Sequence, residues 1–303
     1  MVSMTIGAGA IFNGGISHHT IRGNFTNNGT VTSDGELYFN PYFPVTLQLS
    51  GTSFSSTGTV NFGGTTPITI TGSPASLNDV RITNTNAAGI TPPSGWVMNG
   101  DFIINSDAIF NAGSYSYTVA GDIESNGTLN GGSSTFTMSS AIGQLTGSPN
   151  TIFNHFTITG LISANSDFYV EGNFTNNGNY DGTQAALNMV GSNAASIGGT
   201  TTPCSLAQLV IAKSGGAMVT MNVNLSDVAL LFVQSGVLFT STYTITQDGG
   251  GGFLLIDDGA TLRLGGTNSL PGFSGYGLDA NSNVDYAGST QSIGNAAVYG
   301  NLL

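Results

Sequence analysis

Three observations predict an all-β chain wound as a right-handed parallel β-helix. Only 7% of the 303 residues are Asp, Glu, Lys or Arg, while 45 are glycine. Apolar residues alternate with polar ones in short runs instead of recurring at helical spacing. Certain phrases also return along the chain at related intervals, the mark of a repeat architecture.

The strands come first. "TLQLS" (46–50), "FTMSS" (136–140), "FTITG" (156–160), "YTITQ" (243–247) and "TLRLGG" (261–266) alternate, carry β-branched or aromatic members and are bounded by turn formers. Between them Gly, Asn, Ser and Thr dominate, and these are poor residues for a helix interior.

The repeat comes second. "GNFTNNG" stands at 23–29 and again at 172–178, with a degenerate copy, "GDIESNG", at 121–127. After the 121 and 172 copies, an apolar pair follows (Phe136 and Met138; Leu187 and Met189), 17 residues from opening Gly to Met in both. The landmarks Phe62, Met138, Met189 and Tyr286 lie 76, 51 and 97 residues apart, close to three, two and four times 25. The two identical phrases are 149 residues apart, about six times 25. A coil of about 25 residues, three short strands joined by turns and stacked at about 4.8 Å, accounts for these spacings and predicts about twelve coils. Six of them separate the two phrases, which are expected on the same edge. Phe25 and Phe174 are expected to point inward, with Gly and Asn supplying positive φ at turns. Outward positions are expected to avoid charge, because a repeated charge would lie about 4.8 Å from its copy. A further element recurs as "SPASLNDVRIT" (73–83), "SPNTIFNHFTIT" (148–159), "TTTPCSLAQLVI" (200–211) and "NAAVYGNLL" (295–303). The last breaks off within a unit, so residues 1–303 are expected to be a single solenoid segment of a longer array. The alternative fold is a tandem β-sandwich array, whose period would be nearer 100 residues.

Charge excludes whole classes of partner. With 4 Lys and Arg against 16 Asp and Glu, the net charge is −12, which repels a phosphate backbone and offers nothing to anionic lipid. No apolar run of 18 residues is present, so neither nucleic acid nor membrane insertion is expected. Cys204 is the single cysteine. The first residues, "MVSMTIGAGAIFNGG", lack the basic and apolar regions of a signal peptide.

Chemistry-bearing residues are sparse. Arg22, Arg81, Lys213 and Arg263 are the cations, and Arg81 and Arg263 fall at outward strand positions. His18 and His19, as strand neighbours, face opposite sides and do not share a metal. His155 sits in "FNHFTIT", and Asp257–Asp258 in a turn that lacks the recurring Asp of Ca²⁺-binding repeats. "DGGGGF" (248–253) lacks the Lys-Ser/Thr of a phosphate loop, which leaves a flexible turn. Cys204 is read as a small buried hydrophobe at a strand entrance, and Trp96 as either a sugar platform or a cap. Asn24, Asn28, Asn126 and Asn173 begin sequons that composition alone explains. "TTPITIT" (65–71) is of the kind that binds ice, but the stretches aligned with it, "SAIGQLT" and "SNAASIG", do not repeat it. No catalytic, cofactor-binding or metal residue is therefore assigned.

The phrases at 110–132, "QLTGSPNTIFNHFTIT" and "YAGSTQSIGNAAVYGNLL" resemble the repeat arrays of Bacteroidota cell-surface proteins, which are adhesin-like and exported by the type IX route. The resemblance implies a β-helical stalk on the cell exterior and brings no catalytic residues. A C-terminal sorting domain, which such proteins carry, does not occur in these 303 residues. The function expected is a non-catalytic extracellular structural or adhesive β-solenoid, a stalk or fibre-forming surface protein without cofactor. Its partners would be copies of itself or surface glycans. The alternative is a polysaccharide-binding or polysaccharide-degrading β-helix, which would need a cleft lined by Asp with Arg or Lys.

Overall fold

The computed structural model describes residues 3–294 and 298–303, and the chain forms two compact units, Met1–Phe153 and Asn154–Leu303. No helix occurs among the described residues, so none is long and apolar enough to cross a membrane. The "NAAVYGNLL" copy falls partly outside the described residues.

In the first unit the opening strands are dealt in rotation to three parallel sheets. One holds Met4–Ile6, Phe25–Asn27, Val45–Gln48 and Ile68–Thr71. A second holds Ile11–Asn13, Thr30–Ser33 and Ser53–Ser56. The third and longest runs through His19–Ile21, Leu37–Phe39, Thr59–Phe62, Asp79–Ile82, Phe102–Ile104, Ile123–Ser125 and Gly143–Gly147. Later strands build two further sheets, such as Ser116–Val119 beside Thr135–Met138 and Ile109–Asn111 beside Thr128–Asn130.

The second unit is built the same way. Its main sheets contain Phe174–Asn176, Ala195–Gly198 and Met218–Met221, and Phe168–Val170, Ala186–Gly191, Gln208–Lys213, Leu230–Ser235 and Phe253–Ile256. Every pairing described within the two units is parallel, as coils of a β-solenoid require. The antiparallel pairs of a β-sandwich are not among them.

The coil is shorter than 25 residues. Register partners in the long first-unit sheet advance by 18 to 23 residues, and the second unit stacks Leu187, Leu209, Leu231 and Leu254 at steps of 22, 22 and 23. About 22 residues make a coil, and the chain has about 14. The landmarks spaced at multiples of 25 are not equivalent positions. Phe62 and Met138 lie in different sheets of the first unit, and Met189 and Tyr286 in different sheets of the second.

Each coil buries alternate side chains on its axis. Phe25, Phe39 and Phe62 follow one another with ring centroids 5.3 and 5.7 Å apart, and Trp96 stacks on Phe62 at 5.4 Å. Such aromatic columns add about 0.5–1.5 kcal/mol per pair beyond the burial of their area. Trp96 is 1% exposed, which removes it as a sugar platform. Its indole N–H has no hydrogen-bond partner among the described residues.

"GNFTNNG" is a corner. Phe25 and Phe174 are buried as expected, and so are Asn27 and Asn176. Each asparagine side chain accepts the backbone N–H of the phrase's last glycine: Gly29 to Asn27 at 3.1 Å, Gly178 to Asn176 at 3.2 Å. The glycines are needed for closeness rather than for positive φ. A Cβ on Gly29 would stand 2.3 Å from the Ala10 carbonyl oxygen, and one on Gly178 2.2 Å from that of Gly160. The degenerate copy keeps this reason, since a Cβ on Gly127 would meet the Ala108 oxygen at 2.4 Å. Yet Phe25, Ile123 and Phe174 belong to three different sheets. The phrase therefore specifies a kind of corner and not one edge, which overturns the expectation that its copies share an edge six coils apart.

Candidate functional site

The long sheet of the first unit gathers polar side chains that are scattered in the sequence. Its register sets Tyr38, Asn61, Arg81, Ile103, Glu124 and Thr146 in one outward row. Two residues earlier on each strand, Glu36, Thr59, Asp79, Asp101, Asp122 and Gln144 make a second. This corrects the expectation that outward ladders avoid charge, because Asp79, Asp101 and Asp122 stack on consecutive coils. Their repulsion is offset by fixed donors. Asp79 accepts the Asp101 N–H at 3.0 Å, Asp101 that of Asp122 at 2.9 Å, and Asp122 that of Gln144 at 2.8 Å. The glycines before two of these aspartates make room for the preceding carboxylate: a Cβ on Gly100 or Gly121 would lie 2.0 or 2.3 Å from it. The same face has a groove of about 400 Å³ lined by Asp101, Asp122, Glu124, Asn126 and Gln144. Asp79, Asp101, Asp122, Glu124 and Arg81, far apart in the sequence, thus share one sheet face.

At the His19–Ile21 end of this sheet the side chains form a directed chain. Thr83 donates its hydroxyl to Asn61 Oδ1 at 2.8 Å, and Asn61 Nδ2 donates to Glu36 Oε1 at 3.0 Å. Glu36 Oε2 lies 2.7 Å from His18 Nδ1, and His18 Nε2 lies 2.9 Å from Thr20 Oγ1. An ionised Glu36 accepts from Nδ1, and a neutral ring then turns an unprotonated Nε2 to the threonine hydroxyl. His19 turns the other way, with Nε2 2.9 Å from the Gly14 carbonyl and its ring edge-on to Phe12, as strand alternation requires. Arg22 lies over the ring of Tyr42 at 4.4 Å, and Tyr42 and Phe43 are exposed.

The other candidates resolve into structure. Arg81 is outward and exposed, and Arg263 pairs with Asp285 at 3.2 Å. Lys213 is buried, its ammonium held by the carbonyls of Glu171 and Val190. Burial lowers its pKa below the ordinary lysine value, partly countered by the Glu171 carboxylate. Cys204 is fully buried, and burial pushes its thiol up to about 11 against a hydrogen bond from Asn176. His155 Nδ1 accepts the Asn173 N–H at 2.9 Å, the place that Asp or Asn fills on other coils. Asp258 accepts the Asn281 N–H at 3.0 Å, and "DGGGGF" is a turn closed by Gly251 N–H to the Asp248 carbonyl. "TTPITIT" neighbours the Val45–Gln48 strand, not the stretches aligned with it by sequence, so Thr69 pairs with Thr46, and Thr5 with Thr26 on the same sheet. No group of three or more His, Cys, Asp or Glu suited to a metal occurs among the described residues.

Comparison with protein-family models, with curated proteins and with solved structures finds no match.

Proposed function

We propose that the chain is an extracellular structural or adhesive β-solenoid, a stalk or fibre-forming surface protein. One observation carries this reading: side chains couple each coil to the next. Asn24 accepts the Thr46 N–H at 2.9 Å and Asp101 that of Asp122 in the first unit; Asp167 accepts that of Ala186 at 2.8 Å and Asn173 that of Ser196 at 3.0 Å in the second. These bonds add to the parallel ladders in resisting separation of coils, which suits a load-bearing element. Single-molecule pulling tests it. Stepwise release of segments near one coil in length under sustained force supports the reading; extension without resistance overturns it.

The acidic groove favours a second reading, a polysaccharide-binding surface. A panel of neutral, amino-bearing and acidic glycans tests it, with retention of neutral or amino-bearing chains supporting it and no retention refuting it.

A further inference from the structure

We propose that Thr20, His18 and Glu36 form an acyl-transfer relay that cleaves uncharged small-acyl esters. This goes beyond the scaffold reading and does not depend on it. The three groups have the roles and spacing of nucleophile, base and orienting carboxylate, at 2.9 and 2.7 Å. A chance surface contact would leave the carboxylate loose. Here Glu36 is held on both oxygens, its second partner Asn61 is 7% exposed, and Asn61 is fixed in turn by Thr83. That support locks the histidine tautomer with Nε2 toward the hydroxyl.

The chemistry closes without a further cofactor. Thr20 Oγ attacks the ester carbonyl carbon while its proton passes to His18 Nε2. The bond to the alkoxy oxygen breaks and His18 protonates the departing alcohol, leaving an acyl-threonine. Water, deprotonated by His18, attacks that carbonyl, and the acid leaves as Thr20 regains its proton. Arg22, two residues beyond Thr20, continues the alternation, with Ile21 and Gly23 buried on either side of it. Its guanidinium lies over the Tyr42 ring at 4.4 Å. Glu36 and Asp79 on the same face, with a net charge of −12, disfavour anionic esters.

The test uses the full chain with p-nitrophenyl acetate, and separately with a fluorophosphonate followed by peptide mass mapping. The expected result is saturable hydrolysis that falls about 100-fold or more in Thr20→Val and His18→Gln, and persists in Thr20→Ser. Glu36→Gln, altering a positioning residue, is expected to lower kcat with KM unchanged. The fluorophosphonate adduct is expected on the tryptic peptide ending at Arg22. Circular dichroism checks the fold of each variant, and adduct mapping on the unaltered chain stands even where Thr20→Val misfolds. Hydrolysis by the unaltered chain no faster than by folded Thr20→Val, or an adduct absent or elsewhere, overturns the proposal.

Discussion

Asp101 accepts the backbone N–H of Asp122 at 2.9 Å, so one carboxylate both repels its neighbour on the next coil and fixes that neighbour's main chain. The two effects separate by substitution. Asp101→Asn keeps the acceptor and removes the charge, so it is expected to leave stability unchanged or raise it, most clearly at low salt. Asp101→Ala strands the Asp122 N–H and is expected to cost about 1–3 kcal/mol. Urea unfolding of both variants at two ionic strengths measures the difference.

The corner glycines give a steric prediction. Gly178→Ala places a methyl 2.2 Å from the Gly160 carbonyl oxygen, whereas Gly272→Ala meets nothing within 4 Å. The first is expected to destabilise by about 1–3 kcal/mol and the second by far less. Equal losses in denaturant midpoint would show that closeness does not select these glycines.

Lys213 is expected to be structural. Lys213→Ala removes both a buried stem and the donor to the Glu171 and Val190 carbonyls, at about 2–5 kcal/mol. Lys213→Met keeps the volume and is expected to lose less. A methionine variant as unstable as the alanine variant would assign the effect to the ammonium alone.

Cys204 gives a pH prediction. Its thiol titrates near 11 in the fold against 9.0 for an ordinary group. An acid whose pKa rises on folding lends stability that is complete below the unfolded value. That stability is lost as pH climbs through the folded one. Stability is therefore expected to fall between about pH 9 and 11 by an amount that Cys204→Ala abolishes. Native protein at pH 8 is expected to resist iodoacetamide until urea exposes the thiol.

Much of the fold was legible because alternation and turn residues are local signals. "TLRLGG" became the strand Thr261–Leu264, and Phe25 and Phe174 went inward. Coil length was not legible, since "GNFTNNG" encodes a buried asparagine and a close-packed glycine that serve corners of different sheets. The candidate site was less legible still. His18 and Glu36 are 18 residues apart, Glu36 and Asn61 25 apart, and only the register of successive coils brings them together. The histidine pair "HH" showed that one ring faces out. Nothing local to it named Glu36 as the partner.

Coils of about 22 residues stack in parallel register, and methyl NMR of a leucine-labelled sample tests this most directly. Contacts are expected to link Leu187 to Leu209, Leu209 to Leu231 and Leu231 to Leu254. Their absence, with contacts linking residues 25 apart or with the close Hα–Hα contacts of antiparallel pairs, would contradict it.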